Sequence, residues 1–240
     1  MHWEKDGYIL RPARAGDAQA YYTQNYCPLD AEAARMTGCA PAFTREEIVS
    51  AALELVRERG MGALTSRDLG ARLGSSARPV FTVFRSMEEV QQAVREAAEA
   101  RYRAFVERAL HYTPAFKQFG MQMILFANEE PKLFQLLFMS ESGRPRSVEE
   151  MFNGLGETAQ ICVDVIMADY GLNESDAREL FRHVWIHTYG IGALCATGMC
   201  RFTEDEISDM LGQDFMAMIA LVKSGSGKRF GALPVRRPEA

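Results

Sequence analysis

Residues 64–90 read LTSRDLGARLGSSARPVFTVFRSMEEV, and no other stretch constrains the fold as tightly. Two short helical patterns lie either side of Gly74, and a longer one follows. Thr65 is placed to cap the first pattern, with Asp68 in the first turn, where the helix dipole favours an acid. Leu69 and Leu73 are four apart and share a face. Gly74 supplies the backbone freedom that a turn requires. Ser76 is the best-placed cap for the second helix, and Pro79 falls in its first turn, where a missing N–H costs little. Arg78 precedes that proline and is biased away from helical angles, which blurs the start of this helix. Val80, Phe81 and Phe84 are expected to point inward, and Ala77, Arg78 and Thr82 outward. Capped helix, glycine turn, capped helix is how a helix-turn-helix DNA reader looks in sequence.

Charge agrees with that reading. Arg67, Arg72, Arg78 and Arg85 oppose only Asp68 between residues 65 and 85, in a chain whose net charge is −5. Local positive charge on an acidic protein is what a small DNA-contact face requires, although the same cluster also fits a solvated helix face.

Three segments taken together carry a family resemblance. FTREEIVSAALELVRERG starts at Phe43 and ends at Gly60. LTSRDLGARLG and VFTVFRSMEEV follow. They resemble, in order, the first helix, the second helix, and the third helix with the entry to the fourth, of the TetR family of bacterial transcriptional repressors. The match is close from Phe43 to about Val94 and holds elsewhere in outline. It implies an all-α, TetR-like fold: a three-helix helix-turn-helix domain plus a larger helical ligand-binding and dimerisation domain. It also implies roles. Ser66 and Arg67 would grip phosphate or an edge base. Ser76, Ala77, Arg78, Pro79 and Thr82 would face the major groove, with Arg78 bidentate to guanine and Ala77 and Pro79 on thymine methyls. Arg85 would meet phosphate, which positions without reading sequence. The chain departs from the family at three points. Phe81 stands where a tyrosine usually bonds phosphate, Met87 where lysine is usual, and Val83 where tyrosine or histidine is usual. Phe81 keeps its place on the DNA-binding element but loses that bond. A helical interaction protein that has lost DNA binding is therefore one alternative.

Residues 1–42 form a separate extension that is irregular or contains a strand. YILRPARAGDAQAYY reads as a short strand, a turn and a helix start. LRPARAGD and PLDAEAARMTG resemble the opening of GNAT-type acetyltransferases, which makes an acetyltransferase-derived protein the other alternative. The glycine-rich loop that holds acetyl-CoA phosphates in those enzymes does not follow. No G-x-S-x-G, Walker, dinucleotide or H-E-x-x-H motif occurs either, so an enzyme is not expected, and no cofactor.

The remaining expectations concern residues 43–90 as the reading domain, 91–222 as a helical effector and dimerisation domain, and 223–240 as a disordered tail. Ser86 caps a helix running to about Tyr112. Others open at Pro114, after Pro131, at Val148 (to Tyr170), after Ser175 as cap (to about Met199), and after Thr203 as cap (to about Val222). Glu141–Ser147 reads as a loop. FANEEPKLFQLLFM and VWIHTYGIGAL resemble segments of one branch of the family, in which the last two helices pair with a partner's in a four-helix bundle. Gly190, Gly192, Ala193 and Ala196 are small enough for close helix contact, in a homodimer or within one chain. Phe116, Met123, Phe126, Phe134, Phe138, Trp185 and His187 are candidates to line an effector cavity; a plain core is the alternative. His183 and His187 share a helix face, but lack an obvious third ligand, so no metal is expected. The five scattered cysteines, Cys27, Cys39, Cys162, Cys195 and Cys200, read as reduced thiols. With no apolar run of membrane length and no secretory signal, they suggest a cytoplasmic protein without a membrane partner. The partners implied are a double-stranded DNA operator, an unknown small-molecule effector and a second copy of the chain.

Overall fold

The structure is a computed structural model that describes residues 42–112, 114–139 and 147–225, and the backbone of residues 3–5 and 8–10. The helix start expected before residue 42, the tail beyond 225 and most of the loop before Ser147 lie outside the described residues. Strand β1 (Trp3–Lys5) pairs antiparallel with β2 (Tyr8–Leu10), Trp3 standing opposite Leu10. The rest of the described chain is helical, as the all-α reading requires. It divides into two compact units, residues 1–97 and 98–240.

In the first unit, α1 (Arg45–Arg59) begins at Thr44, whose hydroxyl accepts from the Glu47 N–H while Glu47 returns a bond to the Thr44 N–H. Two backbone donors are thereby satisfied reciprocally. Ile48, Ala52, Leu55 and Val56 form its buried stripe. After Gly60 and a 3-10 turn (Met61–Ala63), α2 spans Ser66–Arg72, capped by Thr65 as expected. Gly74 ends it at φ +67°, with bonds from Ser75 N–H to the Gly70 carbonyl and from Gly74 N–H to the Ala71 carbonyl. That is the two-bond closure favoured by a left-handed glycine. The second helix of the motif, Arg78–Thr82, is a single 3-10 turn rather than an α-helix. The long α3 (Met87–Ala109) follows, its first turn capped by the Ser86 hydroxyl at the Glu89 N–H. The division between units falls inside α3, later than the boundary at 90/91 read from the sequence, because the helix continues with no break that sequence could mark.

The second unit contains the end of α3, then α4 (Phe116–Glu129), α5 (Pro131–Phe138), α6 (Val148–Asn153), α7 (Gly156–Tyr170), α8 (Glu174–Ala196) and α9 (Glu204–Ser224). α8 is its hub, packing against α4, α5, α7 and α9. Several helix boundaries differ from expectation. The helix expected over 148–170 is two helices, broken at Gly154–Leu155 with Gly156 at φ +59°. α8 is capped by Asn173, whose side chain accepts from the Asp176 N–H, so Ser175 lies inside it. It ends at Ala196, because Gly198 turns left-handed at φ +71°. Thr203 caps α9 as expected, and Glu206 is its reciprocal partner. Among the described residues no helix is long and apolar enough to cross a membrane.

Candidate nucleic-acid interface

The exposed side of the helix-turn-helix follows from the geometry of its second helix. In a 3-10 helix residues three apart eclipse one another. Pro79 and Thr82 therefore share one side, and Arg78 and Phe81 the other. Pro79 and Thr82 are buried, Thr82 at 4 % exposure, with its hydroxyl donating to the Pro79 carbonyl at 2.7 Å. Arg78 is exposed, and Phe81 is 42 % exposed. Three expectations are corrected here. Phe81 points outward, Thr82 and Pro79 point inward, and Ser76 does not cap this helix, which starts after Ala77 with no side-chain cap. The α-helical spacing assumed from sequence placed Phe81 on the wrong side. Val80 and Phe84 anchor the element inward as expected.

Gly70 sets how closely α2 lies to this turn. A Cβ there would stand 2.7–2.8 Å from the backbone of Ser76 and Ala77. Only glycine lets the two segments touch without displacement. Ser76 is exposed, Ala77 and Ser66 are half-buried, and Arg67 and Arg85 are exposed. Of the residues expected to meet DNA, Arg67, Ser76, Arg78, Phe81 and Arg85 are the exposed ones.

Ion pairs decide which arginines stay available on this surface. Arg72 makes two 2.7 Å bonds to Glu58 of α1, which holds that carboxyl below its usual range. Asp68 is held low first by the Thr65 hydroxyl and then by Arg59, 3.2 Å away. Glu89 is held low by the Arg85 N–H and by Arg45, whose guanidinium also lies 4.3 Å over the Phe84 ring. Arg67, Arg78 and Arg85 form no ion pair among the described residues. Sequence reading missed Glu58 and Glu89 as partners, since Glu58 is fourteen residues from Arg72 and Glu89 forty-four from Arg45.

The second unit holds a half-open cavity of about 1090 Å³. Of the candidates named from sequence, Phe116, Met123, Phe138 and Trp185 line it. Phe126 and Phe134 do not. Both are fully buried, Phe126 tilted against Tyr102 and Phe105, Phe134 against Phe138 and the Gly192 backbone. His187 also lies off the cavity wall, its Nε2 buried with no hydrogen-bond partner among the described residues. Tyr102, Val106, Phe119, Cys162, Tyr189 and Phe215 complete the wall and were missed from sequence, where one aromatic among many carries no sign of facing a hollow. Gly192 and Ala196 are buried within the chain, whereas Gly190 is exposed. The described residues contain no cluster of three or more metal-ligating side chains.

Residues 48–94 match the family model described as bacterial regulatory proteins, tetR family. No curated protein matches the chain. The matched span covers α1, α2, the glycine turn, the 3-10 helix and the start of α3, which is the helix-turn-helix just described. Residues 48–94 thus carry the DNA-binding domain of the tetR family of bacterial regulatory proteins, and the chain is a DNA-binding transcriptional regulator.

Proposed function

We propose that this chain is a homodimeric, ligand-released repressor of a pseudo-palindromic operator. The observation that carries the reading is the pairing of Arg78 and Phe81 on one exposed stripe of the 3-10 helix. A guanidinium beside an apolar ring suits a groove that offers guanine acceptors next to thymine methyls. Arg67 and Arg85 flank the stripe and hold the duplex by its phosphates. Ser66, Ser76 and Ala77 lie beside it as secondary contacts. Two such heads in a dimer meet half-sites about 34 Å apart.

Exposed apolar side chains on the last two helices support dimerisation. Ile186 and Leu194 of α8 and Met216 of α9 are exposed, with Gly190 between the first two. α3 supports ligand release. One continuous helix supplies Val90 and Val94 to the buried side of the first unit, and Tyr102 and Val106 to the cavity wall. A ligand that prefers one placement of α3 then changes operator affinity by its differential binding. The test is Arg78→Ala, read by fluorescence polarisation on operator DNA across a salt series. Affinity falls by about 1–3 kcal/mol, with relaxed preference at one base pair. Unchanged affinity and unchanged preference remove Arg78 from the reading face.

A further inference from the structure

We propose that the cavity of the helical unit takes an uncharged, multi-ring apolar molecule, and rejects the same skeleton when it carries an anionic group. This rests on the reading of the cavity as the effector site and names the chemistry of what enters it. Three observations lead there.

The wall is built from rings. Trp185 and Tyr189 stack 5.3 Å apart and 13° from parallel, Phe116 and Phe215 meet at 5.6 Å, and Tyr102 meets Phe138 edge-on at 5.1 Å. Rings presented in several orientations favour a guest with faces and edges of its own. The volume is at the upper end for a drug-sized ligand, which calls for more than one ring.

The polar groups on the inner part of the lining, Tyr102, Cys162 and Thr188, are neutral ones. Burial pushes the Cys162 thiol up to about 12, so it is protonated, and raises the Tyr102 phenol above its ordinary range. The Thr188 hydroxyl is committed to the Val184 carbonyl at 2.8 Å. A charged group seated among these three would lose its water and gain no counter-charge from them, a cost that shape complementarity does not offset.

The charged lining residues are all exposed ones. Glu99, Arg103 and Glu107 of α3, Lys117 of α4 and Glu157 of α7 are exposed, and Lys117 donates to the Ser208 hydroxyl at 2.7 Å. Three acids against two bases leave the charged part of the lining net negative, which gives an anion no net attraction.

The test uses a matched pair of fluorescent probes that differ by one sulfonate, N-phenyl-1-naphthylamine and 8-anilinonaphthalene-1-sulfonate, titrated into the full-length chain. The cavity is filled from two sides by Ala159→Trp and Met151→Trp. The neutral probe binds at least tenfold tighter than its sulfonate, and each substitution weakens it at least tenfold. A second readout needs no cavity variant. In a Trp3→Phe chain the bound neutral probe quenches Trp185. A sulfonate bound as tightly as the neutral probe overturns the proposal. So does neutral-probe affinity unmoved in folded variants, or unquenched Trp185. Operator binding with and without the neutral probe separates the two readings. If the probe binds as stated but the operator is held equally well, the ligand class stands and ligand release falls.

Discussion

The two units keep their shape by different means. Residues 42–97 fold around a small core, and their helices are tied across the surface by Arg72–Glu58, Arg59–Asp68 and Arg45–Glu89. The unit beyond residue 98 is held by stacked and tilted rings, and its one cross-helix ion pair among those described joins Arg101 of α3 to the buried Glu130 between α4 and α5. Exposed ion pairs contribute little to stability, so the ties of the first unit act mainly on arrangement. They occupy Arg72, Arg59 and Arg45 while Arg67, Arg78 and Arg85 face solvent. The second unit spends its rings on a wall, leaving a hollow that a guest can fill. A reading surface needs unpaired charge held in place, and a ligand site needs apolar surface held apart.

The largest effect belongs to the ring-built unit. Phe126→Ala removes a fully buried ring that packs Tyr102 and Phe105, and costs about 3–5 kcal/mol. Hydrogen exchange resolved by peptide places that loss beyond residue 98 and leaves α1 and α2 protected as before. Equal loss in both units would mean that the two do not behave separately. Next comes Gly70→Ala, which pushes a methyl into the backbone of Ser76 and Ala77 at a cost of about 1–3 kcal/mol. Operator binding is lost, while circular dichroism of the helical unit barely changes. Retained affinity would show that the turn tolerates displacement.

Thr82→Val separates burial from contact. It deletes a buried hydroxyl bonded to Pro79, so stability falls by about 1 kcal/mol in urea titrations, with base preference unaltered. A changed preference would return Thr82 to the groove. The smallest effect is acidic. Glu58, Asp68, Glu88 and Glu89 are all held below their usual range in the first unit, and in the second only Glu206 among the described residues. A depressed carboxyl stabilises fully above its unfolded value, near pH 4.3, and loses that contribution as pH falls through the folded value. At low salt, acidification from pH 6 to 3 therefore loosens α1 and α2 before α7 and α8, as amide exchange will record. The reverse order would contradict the contrast between units.

Much of the reading unit was legible because its signals are local. Thr65 with Asp68, and Gly74 at the turn, each act within a few residues, and Thr203 with Glu206 works the same way at α9. Where two local signals competed, the sequence could not arbitrate: Asn173 and Ser175 are both good caps two residues apart, and the first wins. Phe81 and Thr82 were exchanged because the period of the helix changed from 3.6 to 3, which Pro79 and its neighbours impose without announcing it. The cavity was half legible. Phe116, Met123, Phe138 and Trp185 face it, but Phe126 and Phe134 have the same composition and neighbours in sequence. Which rings face the hollow depends on helix packing across α3, α7, α8 and α9, and that information is not local.

The most direct test of the central claim is selection of bound fragments from a pool of random duplexes by the intact chain at low salt. The account predicts enrichment of one inverted repeat whose half-sites are centred about one helical turn apart, with a guanine beside a thymine in each half and its enrichment lost in Arg78→Ala. Recovery of unenriched sequence, or the same repeat recovered by Arg78→Ala, would contradict it.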